Sequence, residues 1–505
     1  MSAATGSHLG RENLRFLVVS GFVLTAAVLA VYWEVLRYPF IQDDWRMVSR
    51  AMEAPFGELL RAAFSPYDKV FYRPLGLTYF FLCERVFGLN PVAFHVINLA
   101  VHLTNSVLIL AIALLVSRSR TVALAAAVLY ATAATIHLDP LLWMVGIYDL
   151  MGACFFFSGL VLFISGKPRL SALSYLLGLL FKESVLPLPV VLLGWLLWEG
   201  DGTRRHLTGV VRNLSPHLCV LGLYLPLKLS GLSPFGFASS FPYHLTFRET
   251  GVLRNLVDYA TLSLGVLVPF SSPGRLAAVI VAVVLAVLTA FAKFRAGSRH
   301  PAHWPFLSLW VVAGITLALP LVNHWYRYYL TYSFPAVVLI VVLTLRQSYG
   351  ALYGGRCLAA VFLACWLAVQ TLSAGVYVLR KDKAGISDTY EYGTNHLIYQ
   401  GHGVAMVFDY LERTQPSVPD NTVFVIDGVW VEAFGDAWAF RAFYRKGGIT
   451  AYPAARVELG ARGEISLRPL HPDASRLADG DLVGRPVIYL RVGPRGVQEQ
   501  EVRWR

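Results

Sequence analysis

The sequence predicts a mainly α, polytopic transmembrane helical protein with a small α/β domain at its carboxy end. Three observations carry this. The chain is 56% hydrophobic and only 15% charged, where a soluble globular chain carries about 25% charged residues. The deficit is what a lipid-dissolved chain shows, because a charge at the bilayer centre is costly. Apolar runs long enough to cross a bilayer recur from residue 14 to residue 379. From residue 380 onward the composition turns mixed and polar.

The first run, 14–36, follows Arg11 and Arg15 and ends on Trp33, Arg37 and Tyr38 rather than on small residues. It therefore reads as an anchored span, not a cleaved signal. Further runs occupy 93–116, 121–136, 150–165, 170–181, 185–198, 213–230, 276–292, 304–322, 329–345 and 357–379. Basic residues fall in alternate loops: Arg118 and Arg120, Lys167 and Arg169, Arg204 and Arg205, 293–299, and 346–356. That is the positive-inside pattern. It makes 170–181 and 185–198 a hairpin whose tip, Lys182-Glu183-Ser184, points outward, and it makes the apolar stretch 254–270 an interfacial helix. About eleven spans result, with the amino terminus cytoplasmic and the carboxy end outside. The expected division is a transmembrane domain over 1–379, with its first outer loop at 37–90, and an extracytoplasmic domain over 380–505. Within the latter, 421–427 reads as a strand and 436–444 as a short helix. Pro453, Gly460, Gly463, Pro469 and Pro472 punctuate the rest.

Other classes recede. The five cysteines (Cys83, Cys154, Cys219, Cys357, Cys365) show no CxxC or Cys/His ligand spacing, so neither a disulfide framework nor a zinc module is indicated. The net charge of +12 is explained by orienting loop arginines and anionic membrane lipids rather than by nucleic acid. No internal repeat is present.

The polar residues without an orienting role collect on the outward side. Gln42-Asp43-Asp44-Trp45 follows the first span, and Phe71-Tyr72-Arg73-Pro74-Leu75 comes later in that loop. His95, Asn98, His102 and Asn105 share one helical face, and such a stripe faces protein or a water-filled cavity. His137, Asp139, Tyr148 and Asp149 fall in the next outward loop, Lys182 and Glu183 at the hairpin tip, and His324, Arg327 and Tyr328 at the end of a later span. Taken singly, Asp43-Asp44 reads as a solvated loop or a cap, Lys182-Glu183 as a self-neutralising pair, the His/Asn stripe as interhelical hydrogen bonding, and Arg327 as a snorkelling cation. Their concentration on one side is less easily dismissed.

The runs FIQDDW, FYRPLGLTYFF, FGLNPVAFHVINLAVHLTNSVLIL, HLDPLLWMVGIYDLMG and LLFKES resemble the membrane half of the transmembrane and tetratricopeptide-repeat O-mannosyltransferases and their bacterial relatives, members of the GT-C superfamily of glycosyltransferases. The resemblance covers about the first two hundred residues and continues weakly through NHWYRYYL. The chain departs in having no tetratricopeptide array and in carrying Tyr148 before Asp149 where the family pattern has Arg. The resemblance implies a GT-C-like fold in a bacterial inner membrane. It also implies a polyprenyl-phosphate-linked sugar as donor, and inverting transfer on the non-cytoplasmic face to a hydroxyl of a protein, glycan or lipid acceptor. By that resemblance Asp43 is the general base and Asp44 the second candidate. Arg73, Lys182 and Arg327 bind the donor phosphate, and Glu183 fixes Lys182. Asp149 and His102 orient donor or partners, with His95, His137 and His324 in support. No cofactor is required; some members use a divalent metal, but no ligand set in this sequence demands one. Such chemistry needs a base for the acceptor proton and cations for the departing phosphate. Competing readings are a transporter or lipid flippase, which should show paired halves or broken helices, a membrane polysaccharide polymerase or ligase, and a scaffold.

Overall fold

The computed structural model of the chain describes residues 2–65, 71–199, 207–230, 244–247, 249–263, 304–322, 324–351, 361, 364, 396–459, 464–467, 484–493 and 496–504. The described chain is mostly helical, with a small α/β region at its carboxy end. Among the described residues, three helical stretches are long and apolar enough to cross a membrane: Leu14–Arg37, Pro91–Ser117 and Met144–Ile164. A bent pair, Arg120–Thr132 and Ala134–Leu142, makes a fourth. Of the eleven expected spans, 276–292 lies outside the described residues, as does 357–379 except for residues 361 and 364. The arms 170–181 and 185–198, and the runs at 304 and 329, are shorter apolar helices.

Local chemistry sets these boundaries. Helix α1 (Ser2–Tyr32) closes in a 3-10 turn, Trp33–Arg37. The 37–90 segment, expected as a loop, is three helices: α2 (Asp43–Glu53), α3 (Phe56–Phe64) and α4 (Pro74–Phe87). Helix α5 (Pro91–Ser117) starts where Asn90 caps the Val92 N–H and Pro91 supplies a preset φ. Helices α6 (Arg120–Thr132) and α7 (Ala134–Leu142) were expected as one span over 121–136, but they meet at 51°. The break falls at Ala133, whose ψ of 75° is not helical, and the His102 ring bonds the Ala131 carbonyl beside it.

Helix α8 (Ile147–Ile164) packs closely on α9 (Pro168–Phe181), because Ser171 and Ser174 are small enough to hydrogen-bond the Gly159 and Phe155 carbonyls across the contact. Lys182 then lies beside Gly152, and Leu188 has descended again to Gly159. The chain thus reverses at 182–187, as the hairpin reading requires. The second arm, α10 (Leu188–Glu199), packs against Trp304–Thr316. The segment expected as an interfacial helix over 254–270 is helical over Glu249–Ser263, packed on the 3-10 turn Arg327–Tyr332; residues 264–270 lie outside the described set.

The carboxy-terminal region has a four-stranded sheet, ordered β2-β1-β5-β6. Strands β1 (Val423–Asp427), β2 (Thr450–Pro453) and β5 (Val487–Gly493) are parallel, and β6 (Gly496–Gln500) is antiparallel to β5. A smaller sheet joins β3 (Val457–Leu459), β4 (Glu464–Leu467) and β7 (Arg503–Trp504). Strand β1 and the helix Trp438–Tyr444 match the strand and helix expected from sequence.

Helix α2 joins the two parts. Its buried face, Asp44, Trp45, Val48, Ser49 and Ala51, packs on α4 and on Trp438–Tyr444. Trp45 stacks at 5.4 Å on Phe408, Ser49 donates to the Trp438 carbonyl, and the Gln42 N–H donates to the Ala433 carbonyl at 2.8 Å. One apolar core consequently runs from Leu24 to Val492. The contact is tightest at Gly435, whose φ is +57° and whose missing Cβ would lie 2.7 Å from the Gln42 carbonyl oxygen. Gly435→Ala is expected to cost at least about 1–2 kcal/mol, from the left-handed backbone alone. Gly447→Ala, open on all sides, should be near neutral. Thermal unfolding of the purified full-length variants checks the difference.

Candidate active site

The two aspartates that the sequence sets side by side are separated by the helix they begin. Consecutive helical residues project about 100° apart, so Asp44 turns into the core and Asp43 turns out. Asp44 is 0% exposed. Its Oδ2 accepts the Ile41 N–H at 3.1 Å and its Oδ1 accepts the Val145 N–H at 2.8 Å. Burial pushes its carboxyl up to about 8, against the pull of the Ile41, Val145 and Met144 N–H groups. Both oxygens accept backbone N–H groups, so Asp44 is a structural anchor. The expectation that the pair lies on an exposed loop is corrected at the same point.

Asp43 opens into a cavity of about 630 Å³ between the start of α2 and the carboxy-terminal region. Its side chain is 42% exposed and pairs with Arg46 at 3.4 Å. Arg46 reaches in turn to Asp436 at 3.6 Å. The cavity walls withdraw enough water to raise the Asp43 carboxyl above its ordinary value, Asp436 adds to the rise, and Arg46 and Arg73 oppose it. The preceding residue, Gln42, holds φ 49° and ψ −122°, a conformation that L side chains rarely adopt.

The expected phosphate-binding cations are each paired with a carboxylate. Arg73 donates from Nε and from an Nη to the two carboxylate oxygens of Glu183, at 3.0 and 2.6 Å. Lys182 donates to Asp149 at 2.5 Å. Arg327 makes a fork onto Asp139 at 3.2 and 2.7 Å. The expectation that Glu183 fixes Lys182 is therefore corrected: Glu183 fixes Arg73, and Asp149 fixes Lys182. The physical reason is that Lys182 is extended, with φ −157° and ψ 138°, so adjacent side chains leave on opposite sides. Arg327, too, is held by Asp139 rather than reaching to an interface.

Arg73, Lys182, Asp149 and Glu183 form one cluster. Tyr148 lies 5.6 Å from the Arg73 guanidinium, in space that only a glycine at 76 leaves open. The rings of Tyr328 and Tyr329 stand 4.8 and 5.7 Å from the Lys182 ammonium. Lys228, 5.2 Å from the Phe71 ring that also carries Arg73, joins the cluster without having been singled out in the sequence. The cluster is linked to the Asp43 cavity by aromatic rings: Tyr326 lines that cavity and stacks on Tyr328 at 5.0 Å. His324 packs on Tyr326 at 4.6 Å and bonds the Tyr329 hydroxyl at 2.7 Å.

The histidine stripe is interior. His95 lies 3.0 and 3.1 Å from the Leu141 and Tyr38 carbonyls. Asn98 and Asn105 donate to α7, to the turn after it and to α8. His102 stacks with Tyr130 and lies 4.6 Å from the His137 ring. His95, His102 and His137 thus stand in the bundle core, apart from Asp43 and the cationic cluster. Among the described residues no group of three or more His, Cys, Asp or Glu is arranged to hold a metal ion.

Sequence reasoning did not single out Arg46, Gln400, Trp430 or Asp436, which share the cavity with Asp43. Gln400, Trp430 and Asp436 come from segments hundreds of residues away, and no local spacing signals them; Arg46 stands one turn along α2 from Asp43, at a spacing that does signal an ion pair. No family model and no curated protein matches the chain.

Asp44→Asn must aim an amide N–H at one of two backbone donors. A loss of about 1–3 kcal/mol is expected from the buried donor left unmade. Because the folded pKa of Asp44 is raised to about 8, its contribution is complete below about pH 4 and is lost as pH rises through about 8. Stability against unfolding should therefore decline less across that window in Asp44→Asn than in the wild type.

Proposed function

We propose that this protein is a membrane glycosyltransferase of the GT-C type, moving a sugar from a polyprenyl-phosphate donor to an acceptor hydroxyl, with Asp43 as general base. The observation that carries the reading is the position of Asp43. Its carboxylate opens into a cavity one aromatic layer from the cluster built on Arg73 and Lys182. An inverting transfer needs one carboxylate on the acceptor side and cations on the leaving-phosphate side, and this arrangement supplies both in separate places. A raised pKa makes Asp43 a stronger base than a free carboxylate. Arg73 and Lys182 sit in low-dielectric surroundings, where a phosphate gains most from their charge.

In this reading the donor phosphate approaches Arg73, Lys182 and Lys228, and exchanges with or joins Glu183 and Asp149 as their anionic partner. The sugar then lies toward Tyr326, and the acceptor enters from the Asp43 cavity. Arg327 and Asp139, tied to each other, hold the 3-10 turn that carries Tyr328 and Tyr329. The alternation of basic loops supports a cytoplasmic amino terminus and an active face on the other side, in a bacterial inner membrane.

Two sets of variants test the reading by turnover of a polyprenyl-phosphate sugar. Asp43→Asn keeps the shape and cannot take the proton, so kcat should fall about 10²–10⁴-fold; near-normal turnover would remove Asp43 as base. The base acts only when ionised, so activity is lost as pH falls through its raised pKa. Arg46→Ala removes a charge that lowers this pKa and should move the acid limb upward. Asp436→Asn removes one that raises it and should move the limb downward. A limb that responds to neither reports some other group.

For the donor side, removing Arg73 alone would strand a buried Glu183. Arg73→Gln/Glu183→Gln removes the pair together. Charged hydrogen bonds contribute about 1.5–3 kcal/mol, so donor KM should rise about 10–100-fold. An unchanged donor KM would take the phosphate away from this cluster.

A further inference from the structure

The cavity in front of Asp43 is only half built by the helical part. Its other wall comes from the carboxyl ends of the parallel strands β1 and β2: Ile426, Asp427 and Gly428 on one, Pro453 and Ala454 on the other. That edge of a parallel sheet carries the loops that leave its strands, and loops on a rigid sheet edge are where binding residues are commonly placed. Gly428 makes the crevice possible: its φ is +87°, and a side chain would collide with the Val492 carbonyl. The loop that follows carries Trp430, Glu432 and Asp436 into the lining.

We propose that this crevice is the acceptor site, and that it takes the end of an uncharged saccharide.

The inference rests on the transferase reading and names its acceptor class. Three features support it. The first is a buried polar group. Gln400 is 6% exposed and lines the cavity. Its Oε1 accepts from the Gln42 amide, which fixes the side chain at the cavity wall and leaves its amide N–H groups for the cavity side. An amide N–H facing a cavity is a donor that a ligand hydroxyl or water can meet.

The second is the charge. Asp43, Glu432 and Asp436 face the crevice with Arg46 as the opposing cation, and Arg46 is shared between Asp43 and Asp436. Asp427 is held by Arg491 at 2.9 Å. Such a lining repels a phosphorylated or carboxylated acceptor, whereas sugar hydroxyls donate to every one of these oxygens. The third is an aromatic surface: Trp430 and Tyr326 both line the cavity, and flat rings of this kind cover the apolar face of a pyranose while the polar groups take its edges. The volume, about 630 Å³, lies within the ~300–1,000 Å³ range of small-ligand sites, which suits two or three sugar rings and not a protein surface.

The test is binding, so it does not depend on turnover. Full-length protein in lipid nanodiscs is titrated with a linear mannotriose, with a galacturonic acid trimer and with trilysine, followed by saturation-transfer NMR. The neutral trisaccharide should bind, and Trp430→Ala and Gln400→Ala should each weaken it at least about 10-fold, the loss of one good contact. The acidic trimer should bind poorly to wild type. The isosteric double variant Glu432→Gln/Asp436→Asn, which keeps the acceptors and removes the charge, should admit it. Preferential binding of trilysine, equal binding of the acidic trimer to wild type, or mannotriose binding indifferent to both single variants would each overturn the proposal. Saccharide binding in a protein that transfers no sugar would sink the transferase reading and leave the saccharide site standing.

Discussion

The arrangement depends on one buried carboxylate. Asp44 takes the Ile41 N–H from its own chain turn and the Val145 N–H from the turn that starts α8. A carboxyl group accepting backbone N–H groups from two segments fixes both at once, and the low dielectric around it strengthens each bond. The start of α2 is thereby pinned to the start of α8, where Tyr148 and Asp149 begin the cationic cluster. Asp43 inherits its direction from this anchor: with Asp44 locked inward, the helix leaves its neighbour nowhere to point but the cavity. The strained Gln42 and the contact with Ala433 close the same joint from the carboxy-terminal side.

Much of this was legible in the sequence. The apolar runs of α5 and α8, the reversal at Lys182-Glu183, the inward-facing His95/Asn98/His102/Asn105 stripe and the β1 strand follow from period and composition, because those features are decided locally. The partners were not legible. Adjacency suggested that Glu183 holds Lys182, yet an extended backbone turns neighbours apart, and the chain fold brings Arg73 and Asp149 to them instead. The 51° break at Ala133 carries no glycine and no proline at the bend itself, so an apolar count runs straight through it. The cavity was least legible, because Asp43, Gln400 and Trp430 meet only when the whole chain is folded.

Charge placement separates two tasks. A phosphate-binding cluster must hold cations together before any ligand arrives, and like charges at close range repel strongly in a dry interior. Interleaving Asp149 and Glu183 among Arg73, Lys182 and Lys228 solves this, and the pairs give the cations a fixed geometry. In the proposed transferase the same carboxylates limit how tightly the donor phosphate is held, which suits a group that must leave as product.

Asp43, the base in the proposed reaction, is poised in a corresponding way. Alone at the cavity wall, a desolvated carboxylate would take up a proton and stop being a base; beside a dedicated cation it would be too weakly basic to remove one from a hydroxyl. Arg46 is divided between Asp43 and Asp436, so neither extreme applies. Because Asp436 belongs to the loop that also carries Trp430, whatever settles on that loop alters how Arg46 is shared. In the proposed transferase, acceptor binding and the strength of the base become properties of one charge triad drawn from α2 and the carboxy-terminal region, which is a physical reason for that region to be docked on α2 rather than tethered beside it.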